Sequence, residues 1–218
     1  MKTFLVLGAG TAGTMIARKM ANRLDSSQWK VILVDRTDLH YYQPGFLFVP
    51  FGMYGKDDVV QPNKKFVARG VEYVISGIEQ LDPAENRVTL ANGRVINYDY
   101  LVIATGTDIR PDQTEGMLDG GWRQNIFDFY TYEGAAALAP VLQKFEGGRL
   151  VVNVVEMPIK CPVAPLEFLF LADWYFTRKG IRNKVELVYA TPLPGAFTKP
   201  RAAAEFGNML QRKNIHVE

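Results

Sequence analysis

The turn Gly8-Ala-Gly10-Thr-Ala-Gly13 constrains this 218-residue chain more than any other feature, because of what flanks it. Thr3–Leu7 is a short apolar run of the kind that forms a buried parallel strand, and the spacing after the turn predicts a helix from about Ala12 to Leu24, with Met15, Ile16, Met20 and Leu24 on one face. The next apolar run, Val31–Val34, ends at Asp35. Strand, glycine turn, helix, strand and terminal acid make one βαβ unit. Gly8 permits the tight turn, Gly10 lets the backbone approach a pyrophosphate, and Gly13 lets helix and strand close on each other. The helix start offers free N–H groups and a partial positive charge to the phosphates. Asp35 lies 22 residues beyond Gly13, where an acid binds ribose hydroxyls, and it favours an unphosphorylated ribose, as in FAD or NAD. Gly8, Gly10, Thr11, Ala12, Gly13, Asp35 and the adjacent Arg36 are the candidate dinucleotide-binding residues.

Downstream, Val71–Ile75 reads as a third strand. Ile78–Leu81, Arg87–Leu90 and Arg94–Ile96 then read as short strands separated by Asp82-Pro83 and Asn92-Gly93. Asn-Gly between alternating runs is a strong hairpin signal, so residues 78–100 form an antiparallel meander inserted into an α/β domain. Tyr100-Leu-Val-Ile-Ala104-Thr105-Gly106 returns to the sheet as an apolar strand, and Asp108–Gly121 is a linker rich in Pro, Asp and Gly. A second α/β unit follows: a helix over Glu133–Phe145 in which Pro140 is a blemish, a strand over Arg149–Val155, a helix over Leu166–Lys179, a strand over Val185–Tyr189, a helix over Ala202–Lys213, and the start of a strand at Ile215. The expected fold class is α/β, with two Rossmann-like three-layer dinucleotide-binding domains. The first (residues 1–115) carries the meander, and the second (116–218) is incomplete, with too few elements to cover its sheet.

The second strand–helix junction departs from the first. Arg149–Val155 runs into Glu156-Met-Pro-Ile-Lys160-Cys161-Pro-Val-Ala-Pro165-Leu-Glu167, with no glycine between Gly148 and Gly180. Pro158, Pro162 and Pro165 stiffen the loop and fill the space a pyrophosphate needs, which argues against a usual NAD(P)H site. In its place stands the chain's one cysteine. A single cysteine excludes an internal disulfide framework and leaves a bystander, a reactive thiol, or half of a pair completed elsewhere. Lys160 and the start of the helix whose first turn holds Pro165, a favoured N1 residue, both favour a thiolate, and Glu167 is close enough for proton transfer if the loop folds back. Cys161 and Glu167 are the candidate catalytic residues; no metal site is expected. With 48% hydrophobic and 22% charged residues and a mixed net charge of +2, nothing points to nucleic acid. Neither a signal peptide nor a transmembrane run is visible, and Phe168–Phe176, apolar nearly all round, reads as a buried helix.

The stretch Tyr98–Gly106 resembles the second FAD motif of flavoproteins with two dinucleotide-binding domains, which implies FAD as cofactor and adds Ala104, Thr105 and Gly106 to its contacts. The whole chain resembles the N-terminal half of the sulfide:quinone oxidoreductase and flavocytochrome c sulfide dehydrogenase group. The resemblance rests on Gly8–Gly13, Asp35, His40-Tyr-Tyr-Gln-Pro44-Gly45, Tyr98–Gly106 and Cys161-Pro-x-x-Pro-x-Glu167. It implies sulfide oxidation through a cysteine pair beside the flavin, with a quinone or a haem subunit as acceptor. It also implies a flavin contact at Pro44 and peripheral attachment to a prokaryotic cell membrane, with the membrane surface met through a C-terminal half outside this chain. A homo-oligomer is possible. There are departures as well. Many quinone-linked members carry another cysteine about 30 residues before the equivalent of Cys161, and Gln124–Tyr132 has none; no cysteine near Tyr41–Phe48 is available for covalent FAD. A type II NADH:quinone dehydrogenase relative and an inactive flavin-binding fragment are the competing readings.

Overall fold

The computed structural model describes residues 1–218, which divide into two compact units: Met1–Tyr42 with Asp57–Ile109, and Gln43–Lys56 with Arg110–Glu218. In the first unit, β1 (Lys2–Leu7), β2 (Trp29–Asp35), β5 (Val71–Ile75) and β9 (Tyr100–Ile103) form a parallel sheet in the order β5-β2-β1-β9. The middles of β1 and β2 (Leu5–Leu7 and Val31–Val34) are apolar on both sides because both faces are covered there, as in parallel sheets generally. Leu5, Leu7, Ile32 and Val34 point to one side and pack on Val88, Leu90 and Ile96 of the antiparallel meander β6 (Ile78–Asp82), β7 (Arg87–Leu90) and β8 (Val95–Asn97). Val6, Val31 and Leu33 alternate to the other side, toward α1 (Thr11–Ala21). The unit is therefore a three-layer stack of meander, sheet and helix. As Asn92-Gly93 predicts, the β7–β8 connection is a tight turn, with Gly93 at φ +82°.

Two details differ from the sequence expectation. α1 ends at Ala21 and leaves Met15 67% exposed; its buried face is Gly13, Thr14 and Ala17, flanked by Ile16 and Met20. The helix lies so close to the sheet that only small side chains fit between them. β9 stops at Ile103, so Ala104–Gly106 form the loop after the strand. A short antiparallel pair, β3 (Leu39–Tyr41) with β4 (Val60–Pro62), has no signal in the sequence because each strand is only three residues long.

The second unit has a parallel sheet in the order β10 (Gly148–Asn153), β11 (Val185–Ala190), β12 (Ile215–Val217). One face carries Leu150, Val152, Val185, Leu187, Tyr189 and Ile215, all in one core with α2 (Tyr132–Lys144), α3 (Ala164–Arg178) and Leu210 of α4 (Pro200–Arg212). The opposite face presents Arg149, Val151, Glu186 and His216, all exposed. α2 runs through Pro140 without interruption, and α3 places Pro165 in its second position. The expected boundary at residues 115 and 116 shifts to Ile109 and Arg110, and Gln43–Lys56 joins this unit although it lies early in the chain. Its apolar side chains decide that. Phe46, Val49 and Phe51 are buried, and the Phe51 ring packs on Phe168 and Tyr175 of α3 at 4.9 and 5.7 Å.

One buried charge ties the unit's elements together. Asp173 of α3 accepts from Arg182 Nε at 2.7 Å and from Lys213 Nζ at 2.6 Å, while Arg182 also donates to the carbonyls of Val185 and Lys213. Burial opposes the Asp173 charge, but the hydrogen bonds from Lys213 and Arg182 outweigh it and hold the carboxyl below its ordinary value of 3.8. A group lowered in this way stabilises the fold above its unfolded pKa, and the contribution is lost as pH falls through the folded value. Asp173→Asn is therefore expected to cost about 2–3 kcal/mol near neutral pH, since one partner of a largely buried ionic cluster is lost. It should also flatten the decline in stability below the ordinary carboxyl value of 3.8. Denaturation curves measured across pH test this; parallel wild-type and variant profiles would exclude Asp173 as an acid-sensitive group. No helix of the protein is long and apolar enough to cross a membrane.

Candidate functional site

Ligands of open parallel sheets sit beyond the carboxyl ends of the strands, and most of the candidate residues lie there. In the first unit the glycine turn follows β1, Asp35 ends β2, and Ala104–Gly106 follow β9. They form one construction. Gly8 N–H donates to Val34 C=O at 2.7 Å and Ala104 N–H to Leu7 C=O at 2.7 Å. Gly8 sits at φ +96°, and a Cβ there would lie 2.3 Å from Ala104 O. On Gly13 a Cβ would come within 1.7 Å of Gly8 O. Gly10 differs: a Cβ would meet nothing within 4 Å, so the space over its backbone is open.

That open space faces the start of α1, where Gly10 is the N-cap, no side chain caps the helix, and no acid occupies its first turn. The Thr11 and Ala12 N–H groups have no carbonyl one turn earlier in the helix to meet. A diphosphate fits such a site: donors, a partial positive charge and backbone free of side chains. Asp35 uses Oδ2 to accept Ala9 N–H at 2.7 Å and Oδ1 to accept Thr37 N–H at 3.1 Å. Each oxygen keeps a lone pair for a ribose hydroxyl. Arg36 is exposed beside it. Pro44 belongs to the second unit, in the turn Gln43–Leu47.

In the second unit the loop after β10 holds Cys161, exposed and at φ +53°, in the left-handed region. It stands two residues ahead of Val163, the N-cap of α3, and its carbonyl accepts Ala164 N–H at 3.0 Å. The Lys160 ammonium donates to Gln43 Oε1 at 2.5 Å, which joins the cysteine loop to the turn that contains Pro44. Glu167 is exposed in the first turn of α3.

Tyr130 is the residue here that sequence reasoning missed. Its hydroxyl donates to Cys161 C=O at 3.3 Å, across 31 residues of chain. Burial, reinforced by the nearby Cys161, Tyr189 and Glu167, pushes its hydroxyl up to about 12, so it remains a donor at any physiological pH. The residues before it are tightly organised. Asp128 Oδ1 accepts the N–H groups of Tyr130 and Thr131, and Thr131 Oγ1 caps α2 by accepting Gly134 N–H at 3.0 Å. Tyr130 lies in the stretch where a second cysteine is absent, but no spacing rule links a tyrosine there to Cys161.

Residues 2–152 match the family model for pyridine nucleotide-disulphide oxidoreductases. The chain belongs to that family. Two relatives are mitochondrial sulfide:quinone oxidoreductases. The one from Dictyostelium discoideum is 24% identical over 213 residues, covering 97% of this chain and 47% of its own length. The one from Mus musculus is 26% identical over 213 residues, covering 98% and 47%. The solved sulfide:quinone oxidoreductase from Aquifex aeolicus superposes with a TM-score of 0.87 at 24% identity, over the whole of this chain and 51% of that one. The chain thus spans about half the length of the relatives it matches, and it shares its Rossmann-like α/β fold with the solved Aquifex aeolicus protein.

Proposed function

We propose that this chain is the nucleotide-binding and thiol-bearing part of an FAD-dependent oxidoreductase of the sulfide:quinone type. The observation that carries the reading is Cys161, exposed in the loop after β10 where a second dinucleotide turn would need glycines. In the first unit, Gly8, Gly10, Thr11, Ala12, Gly13, Asp35 and Arg36 would hold the diphosphate and ribose of FAD, with Ala104, Thr105 and Gly106 completing the cradle. Pro44 would contact the flavin from its own turn. Bound FAD supplies a two-electron acceptor. Cys161 thiolate would take up hydrosulfide sulfur as a persulfide; that S–S bond forms with loss of one proton, which Glu167 would receive, and of two electrons, for which bound FAD would be the acceptor. A quinone would be the final electron acceptor. The names of the relatives support the substrates, and the glycine-free loop speaks against a nicotinamide donor.

Anaerobic spectroscopy of the FAD-loaded protein tests the proposal. Sulfide is expected to bleach the oxidised flavin bands while NADH leaves them unchanged. Bleaching by NADH alone would replace this reading with a type II NADH:quinone dehydrogenase-like one, and a protein that holds no FAD would reduce it to a non-catalytic fragment.

A further inference from the structure

Ala9, inside the glycine turn, has both of its backbone groups held from outside the turn. Its N–H donates to Asp35 Oδ2 at 2.7 Å, and its C=O lies 3.2 Å from His40 Nδ1. The same ring nitrogen is 3.1 Å from Asn63 Oδ1. Asn63 is 0% exposed, and its amide NH₂ donates to Leu39 C=O at 3.2 Å, which leaves Oδ1 as the atom facing the ring. Both neighbours of Nδ1 are acceptors, so Nδ1 carries the proton and donates. The ring is held further by Phe66, with centroids 4.3 Å apart.

The peptide joining Ala9 to Gly10 is trans, so its C=O and N–H point in opposite directions. A carbonyl held toward His40 therefore aims Gly10 N–H to the other side, into the space that a Cβ on Gly10 would find open. We propose that His40 is a positioning residue for dinucleotide binding: through the carbonyl of Ala9 it orients Gly10 N–H toward the ligand's phosphates. Asp35 fixes the preceding peptide in the same way, so the turn presents its donor already oriented and does not lose that freedom on binding. The inference rests on the reading of this turn as a dinucleotide site. It gives His40 a role in affinity, separate from the flavin's electron transfer.

The test is titration of FAD and of ADP, which shares the diphosphate, into wild type, His40→Ala, His40→Asn and His40→Phe. His40→Ala is expected to weaken both ligands by roughly five- to tenfold, the worth of one hydrogen bond. His40→Asn, whose amide N–H can replace Nδ1–H, should stay within about twofold of wild type. His40→Phe keeps the packing on Phe66 without the donor and should behave like Ala. In the unliganded protein, the Gly10 amide resonance should shift in the Ala and Phe variants but not in Asn, a readout independent of ligand and of global stability. Wild-type affinity in His40→Phe, or an unmoved Gly10 amide in His40→Ala, would overturn the proposal. A wild-type protein that binds neither FAD nor ADP would remove the dinucleotide reading itself, and the inference with it.

Discussion

Gly13→Ala is expected to destabilise the first unit by about 3 kcal/mol, the upper end for overpacking, and to weaken dinucleotide binding about a hundredfold or more; Gly10→Ala should weaken binding to that extent without destabilising the fold. The contrast follows from geometry. A methyl on Gly13 would sit 1.7 Å from Gly8 O and 2.9 Å from Gly8 C, both backbone atoms, so either the helix or the glycine turn must move. Gly8 cannot yield easily, because its own Cβ position is 2.3 Å from Ala104 O. Gly10 has an ordinary φ of −69°, and its methyl would enter open space, so the fold accepts alanine there. That open space is also where a diphosphate must approach, and a misplacement of about 1 Å at such a cradle costs on the order of a hundredfold. Thermal unfolding by circular dichroism and FAD titration separate the two effects. If Gly10→Ala binds FAD as wild type does, the phosphates lie elsewhere.

Cys161→Ala is expected to leave FAD bound and thermal stability close to wild type, while sulfide-driven flavin reduction falls by about 10³-fold or more, as when a nucleophile is removed. The side chain is exposed, so truncation opens no cavity, and alanine inherits the same φ of +53°. The hydrogen bond from Tyr130 goes to the Cys161 carbonyl, so it survives the change. Loss of reduction would therefore report chemistry and not folding. Stopped-flow absorbance under anaerobic conditions gives the rate; reduction that persists in Cys161→Ala would make the cysteine a bystander of the loop. The Asp173 and His40 variants probe other links of the chain, one the ionic clamp of the second unit, the other the orientation of the glycine turn.

Much of the fold was legible because it is written in local periodicity. Val71–Ile75 matches its strand residue for residue, and Asn92-Gly93 marks its turn, because each depends on neighbours a few positions away. The face of α1 was misjudged at Met15 because hydrophobic spacing reports apolarity, whereas the contact with the sheet demanded small size at Gly13 and Ala17. The segment 43–56 was assigned by its place in the chain, yet Phe51 is committed to Phe168, far along the sequence.

The amino-acid sequence by itself determined the βαβ unit with its glycine turn and acid, the inserted meander, and the replacement of glycines by a proline-flanked cysteine at the second junction. Each is a matter of backbone freedom or periodicity over short spans. Only the tertiary structure decided that Tyr130 reaches the Cys161 loop, that Lys160 turns to Gln43, and that His40 and Asn63 brace Ala9. Those bonds join residues from 23 to 117 positions apart. Which side chains meet at such separations depends on how strands and helices pack, and no local pattern encodes it.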